Sequence, residues 1–173
     1  ARYQMGAALN EAMGLVRVLR PLAKNESWAT QSIRDLDTSL SPKDKLELYR
    51  RLAVASRPDV VDAIGEELAD RFGKVPAPAR HLLELRKIRL LGGSAKASEM
   101  KLDHGKFEVW LRQPLTPKDA HRILTRTKED LEFLSGKEMG VRLKRAGGEP
   151  EAFLARATKL LQALGEPVTL AAK

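Results

Sequence analysis

Met100-Lys101-Leu102-Asp103-His104-Gly105-Lys106-Phe107-Glu108-Val109-Trp110-Leu111 is the stretch where the chain changes period. Met100 and Leu102, then Phe107, Val109 and Leu111, alternate with polar neighbours, as two half-buried strands require. Asp103-His104-Gly105 between them suits a hairpin turn, and the alternation leaves Trp110 facing away from Phe107 and Val109. Val141 and Leu143, flanked by Lys144 and Arg145, read as a third strand.

On either side of these strands the apolar spacing is helical. Ser41-Pro42-Lys43-Asp44 is a helix start: Ser41 can cap, Pro42 suits the first helical position, and Asp44 can complete a capping box. Leu46, Tyr49, Leu52, Ala53 and Ser56 then form an inward face, and Pro58 closes the segment. A second helix is expected over about 59–72, with Val61, Ile64, Leu68 and Phe72 buried and Gly73 as its stop. A third covers about 78–91, with Leu82, Leu85, Ile88 and Leu91 on one side before Gly92-Gly93.

Thr116-Pro117-Lys118-Asp119 repeats the capping arrangement and opens a helix with Ala120, Ile123, Leu124, Thr127 and Leu131 on one face. The two copies are shared cap chemistry, since they serve different elements. After Gly147-Gly148-Glu149-Pro150 a last helix carries Phe153, Ala157, Leu160, Leu161 and Leu164. Residues 2–20 read as one more helix, with Met5, Leu9, Ala12, Val16 and Leu19 in a stripe that Pro21 ends. The fold class is therefore α+β: N-terminal helices, then a small, mainly antiparallel sheet packed against helices.

Composition narrows the chemistry. At 173 residues, 43% hydrophobic and 31% charged, with 12 Gly and 9 Pro, the chain has the make-up of a globular protein rather than a disordered or collagen-like one. No cysteine is present, which excludes disulfides, thiolate nucleophiles and cysteine-based metal sites. No Walker-type glycine loop and no His-x-x-x-His pair occurs, so no cofactor or metal is expected. The three histidines, His81, His104 and His121, are scattered. Apolar runs fall far short of the ~20 residues that span a bilayer, and the first residues lack the zones of a signal peptide. The expected compartment is cytoplasmic, with no membrane contact.

Charge offers two candidate surfaces. Asp59, Asp62, Glu66, Glu67 and Asp70 put five acids in twelve residues without a base among them. On the helix, Glu67, Asp70 and Arg71 share one exposed face opposite Leu68 and Phe72, with Glu67 and Arg71 spaced for an i,i+4 pair. One straight helix supplies oxygens poorly to a metal, so the face is either a solvated surface or a docking face for a basic partner. The second surface is basic. Lys plus Arg total 31 against 23 acids, a net charge of +8, and Arg80, Arg86, Arg89, Arg122 and Arg126 are candidate nucleic-acid contacts on helices around 80–91 and 117–128. Few aromatics accompany them, and the 59–72 and 78–91 pair makes an unpersuasive helix-turn-helix, because its first member is acidic. A small hydrolase would need His81 or His121 gathered with carboxylates in a pocket.

The run Leu46-Glu47-Leu48-Tyr49-Arg50-Arg51-Leu52-Ala53, then Glu66-Glu67-Leu68-Ala69-Asp70-Arg71-Phe72-Gly73, Pro76, and Leu82-Leu83-Glu84-Leu85 with Arg89, resembles the C-terminal domain of the bacterial transcription-repair coupling factors. Tyr3-Gln4-Met5 with Leu9-Asn10-Glu11-Ala12 is similar to the helix that links that domain to the translocase motor. The resemblance spans most of residues 1–92 and, more loosely, the strands and helices beyond residue 92. It implies a non-catalytic, autoinhibitory interaction domain without a cofactor. Such a domain packs on the UvrB-like domain of the same protein, masks the surface that binds UvrA, and restrains the ATP-driven DNA translocase. The implied docking residues are Glu67, Asp70 and Arg71, pairing with arginines on the UvrB-like domain.

The implied partners are that domain and the motor domain, and indirectly UvrA, RNA polymerase and DNA through the full-length protein. The chain itself is expected to be a monomer. The implied layout is a linker helix at 1–21, a connecting segment at 22–42, the regulatory domain at 43–165 and a tail at 166–173. Residues 22–42 are shorter than the family's corresponding stretch and lack its Ile-Pro-x-x-Tyr-Ile-like segment, as if residues were missing or the relative were divergent.

Overall fold

The computed structural model describes residues 40–103, 105–144 and 150–166. The helix read at 2–20, the connecting segment, His104, Gly147-Gly148 and the tail beyond 166 lie outside the described residues.

The first three elements are helices: α1 (Pro42–Val54), α2 (Pro58–Phe72) and α3 (Ala77–Ser94). Each begins on a proline-bearing first turn, where a missing N–H costs nothing. At α1 the expected cap is present: the Ser41 hydroxyl accepts from the Asp44 backbone N–H at 3.2 Å. The buried stripe of α1 is Leu48, Tyr49 and Leu52, with Leu46 half-buried and Ser56 exposed. The inward face is thus rotated toward Leu48 from the one anticipated.

α3 runs on through Gly92 and Gly93, which were expected to end it. The cause is tertiary. A Cβ on Gly92 would lie 2.3 Å from Met100 Cε, so the missing side chain is the space the first strand's methionine occupies.

Next come β1 (Ala97–Asp103), β2 (Lys106–Leu111), α4 (Pro117–Thr127), β3 (Leu131–Ser135), β4 (Met139–Lys144) and α5 (Pro150–Gly165). β1 and β2 form the anticipated hairpin, with Met100 opposite Val109 and Leu102 opposite Phe107. Gly105 takes φ 74° in its turn. The four strands are antiparallel in the order β1-β2-β4-β3.

Leu131 corrects the reading. It begins a fourth strand instead of extending α4, because Lys128 turns left-handed at φ 54° and its N–H closes the helix on the Leu124 carbonyl. Leu131 then pairs with Leu143.

One face of the sheet is apolar. Met100, Leu102, Phe107, Val109, Leu111, Val141 and Leu143 join Phe153, Leu154, Ala157, Leu160 and Leu161 of α5 and the inward residues of α1–α3 in one continuous core. α5 packs along α3 and against α4. The other face is polar: Arg142 bonds Glu108 at 2.8 Å and Glu132 at 2.9 Å, tying three strands. Beside it Trp110 covers Gly140, where a Cβ would come within 2.8 Å of the indole, a cross-strand aromatic–glycine pair.

Candidate docking face

α2 carries its acids outward because Val61, Ile64 and Leu68 claim the inner stripe. The acids do not share one fate. Asp59 pairs with Arg57 at 2.8 Å and Asp62 with Lys87 at 2.9 Å. Asp62 and Glu84 hold the half-buried Lys87 ammonium above its ordinary pKa, against the opposing effect of burial, which is the largest single influence.

Glu67 meets Arg51 of α1 at 2.8 Å, whereas the i,i+4 approach to Arg71 is a loose 4.0 Å. Arg71 turns instead to Asp44 in the first turn of α1, at 2.7 Å. The Ser41 hydroxyl, and after it the Arg71 guanidinium, hold the Asp44 carboxyl below the usual range. Glu67 and Arg71 thus stitch α2 to α1.

Glu66 and Asp70 remain. They are exposed, one helical turn apart, and neither forms an ion pair or hydrogen bond with the described residues. Of the three docking residues inferred from the sequence, Asp70 is the one presented outward without an internal partner.

Phe72, expected in the core, is 41% exposed. It is the last residue of α2. The groups around that last turn are polar: Arg71 held by Asp44, and the reversal at Gly73, whose φ is 74°. The Arg71 guanidinium carbon stands 5.0 Å from the Phe72 ring centroid, within cation–π range. The periodicity that assigned Phe72 inward could not see the reversal at Gly73 or the Arg71 guanidinium beside the ring.

Four of the five basic candidates are engaged by groups within the domain. Arg80 at the start of α3 donates to Glu151 at 2.7 and 3.0 Å and to the Val75 carbonyl. Arg86 is buried and donates to the carbonyls of Leu52 at 2.8 Å and Ala55 at 2.7 Å. Its guanidinium therefore faces the end of α1, not a surface. Arg122 donates to the Glu166 carbonyl at 3.0 Å and lies 3.4 Å from Asp119, and Arg126 bonds the Glu166 carboxylate at 2.6 Å. Arg89 is exposed and forms no ion pair or hydrogen bond with the described residues.

His81 lies 3.5 Å from Glu151, while His121 sits exposed on α4. Among the described residues no three His, Asp or Glu side chains converge as a metal site, and no helix is long and apolar enough to cross a membrane.

Residues 40–121 match the TRCF domain family. The transcription-repair-coupling factors of Mycobacterium bovis and Mycobacterium tuberculosis are each 47% identical to this chain over 55 residues. That segment is 32% of this chain and only 4% of either relative. A crystal structure of the C-terminal domain of transcription-repair coupling factor shares the fold, with a TM-score of 0.61 at 18% identity, covering 73% of this chain and 81% of that one. Residues 40–121 thus match the TRCF domain, and the fold of the described residues is that of the solved C-terminal domain of a transcription-repair coupling factor.

Proposed function

We propose that the chain is a non-catalytic, autoinhibitory domain of a transcription-repair coupling factor. It docks through α2 on the UvrB-like domain of the same protein, covers the surface that would take UvrA, and restrains the DNA translocase. In this reading residues 43–165 are the regulatory body, 1–21 the linker helix from the motor, 22–42 a connecting segment and 166–173 a tail.

The observation that carries the reading is Asp70. It stands exposed on a helix braced by its neighbours, with no cation among the described residues to satisfy it. A carboxylate held ready in this way gains most from an arginine on the partner, since close charge pairs across interfaces couple by roughly 1.5–7 kcal/mol. Tethering both modules in one polypeptide raises their effective concentration further.

The test is calorimetric titration of the 173-residue chain with the UvrB-like domain. Asp70→Lys is expected to leave the thermal midpoint within a few degrees of the parent and to weaken binding by at least about tenfold, or ~1.4 kcal/mol. A folded Asp70→Lys chain that binds as tightly as the parent removes the reading. An unfolded one makes Asp70 structural.

A further inference from the structure

Two of the three docking residues inferred for α2 are already engaged inside the domain. Glu67 meets Arg51 at 2.8 Å and Arg71 meets Asp44 at 2.7 Å. Asp70, between them in sequence, forms no ion pair or hydrogen bond with the described residues. Arg51 and Asp44 lie seven residues apart on α1 and meet their partners in reverse order, so the pairs are two rungs between antiparallel helices.

We propose that α1 competes with the partner for the docking residues of α2. In the free domain Asp44 holds Arg71 and Arg51 holds Glu67; docking exchanges both pairs for pairs across the interface. The inference rests on the docking reading above and adds its regulation, an internal brake made of two residues outside α2.

Three observations support it. First, Glu67 and Arg71 are drawn to α1 in preference to each other, since their own i,i+4 approach is a loose 4.0 Å. A carboxylate already shared with a guanidinium attracts a second cation less than a free one does.

Second, the rungs are reversible. The side chain of Arg51 is 35% exposed and those of Glu67 and Arg71 are each 44% exposed, so water reaches both pairs, and screened pairs of this kind are weakly held. Giving them up leaves the apolar seam of Leu48, Leu52, Ile64 and Leu68 in place. Third, both α1 groups keep a local partner once α2 lets go. The Ser41 hydroxyl donates to the Asp44 carboxylate, and Glu47 lies 4.0 Å from Arg51 one turn earlier. Neither charge is stranded by the exchange.

The experiment is titration of the 173-residue chain against the UvrB-like domain, for the parent, Asp44→Asn, Arg51→Gln and Asp70→Lys, with thermal unfolding of each alone. Asp44→Asn and Arg51→Gln are each expected to tighten binding by about two- to fivefold, the factor that a surface pair of this kind represents. The direction is diagnostic for Asp44→Asn, because taking an acid from a face that meets cations would otherwise weaken binding. Arg51→Gln is read against Arg89→Gln, which removes the same charge from an exposed, unpaired position on α3. An equal gain there would be an effect of bulk charge and would overturn the exchange. A double-mutant cycle completes the test: Glu67→Gln should cost more affinity in the Arg51→Gln background than in the parent, since Glu67 is then free for the partner. The cycle decides the matter if Asp44→Asn, at the first turn of α1, does not fold. If either folded α1 variant binds like the parent or more weakly, while Asp70→Lys still loses affinity, the exchange is wrong and the docking reading survives. If Asp70→Lys binds like the parent, or the parent does not bind, both fall.

Discussion

The guanidinium of Arg86 occupies the place a capping group would take at the end of α1. The Ala55 N–H already closes on the Arg51 carbonyl, and Arg86 reaches from α3 to the next free acceptors, Leu52 and Ala55. Burial pushes its pKa down from the ordinary value, with nearby Arg89 adding to the effect. Replacing it with methionine keeps most of the volume and strips both carbonyls, so a loss of about 2–3 kcal/mol is expected in urea unfolding. Arg86→Lys, with a single ammonium in place of the fork, should fall between. Nothing within a helical turn of Arg86 announces this role, because its partners lie 31 and 34 residues away. Charge read along the chain groups it with the nucleic-acid candidates for that reason. Gly140 is equally silent: its missing Cβ is a consequence of Trp110, two strands of sequence earlier. Gly140→Ala must displace an indole 2.8 Å away, with an expected cost of about 1–3 kcal/mol and a shifted tryptophan emission.

At the level of elements, capping chemistry was the most legible feature. Thr116-Pro117-Lys118-Asp119 forms the reciprocal box in full: the Asp119 N–H donates to the Thr116 hydroxyl oxygen at 3.2 Å, and the Thr116 N–H donates to the Asp119 carboxylate at 3.0 Å. Such boxes are local, which is why spacing alone revealed them. The end of the same helix was illegible. Lys128 adopts φ 54° with no glycine or asparagine to mark the stop, and Leu131, eight residues after Ile123, fits the helical stripe as well as it fits a strand. β3 exists because Leu131 and Phe133 pair with Leu143 and Val141 of β4, a decision made by the sheet and not by five residues. Two substitutions test the two ends. Thr116→Ala should cost about 1 kcal/mol in chemical denaturation by removing the cap. Lys128→Gly should stabilise by up to about 1 kcal/mol, since glycine enters the left-handed region without the Cβ penalty.

For the molecule as a whole, net charge says little about the internal organisation. Several arginines act between elements: Arg80 with Glu151 joins α3 to α5, Arg156 with Glu129 joins α5 to the residues before β3, and Arg142 with Glu108 and Glu132 crosses the sheet. These contacts set an acid limit to stability whose sign is fixed by linkage. The carboxyls of Glu129, Glu132 and Glu151 are lowered from an ordinary 4.5, each first by a hydrogen bond from its arginine; Asp119 is lowered from 3.8, first by the Thr116 hydroxyl. A group that holds its proton less tightly when folded contributes stability that is complete above its unfolded value and is lost as pH falls through its folded value. The unfolding midpoint should therefore be nearly level from pH 7 to about 5 and should drop steadily below about pH 4. Glu129→Gln should lower the midpoint at neutral pH and flatten the acid limb, because that site no longer releases a proton on folding. Glu66→Gln, on a carboxylate with no hydrogen bond or ion pair among the described residues, should leave the midpoint at neutral pH unchanged. Thermal scans of the parent and Glu129→Gln from pH 7 to 3, with Glu66→Gln compared at pH 7, distinguish an acid that holds the domain together from one left exposed.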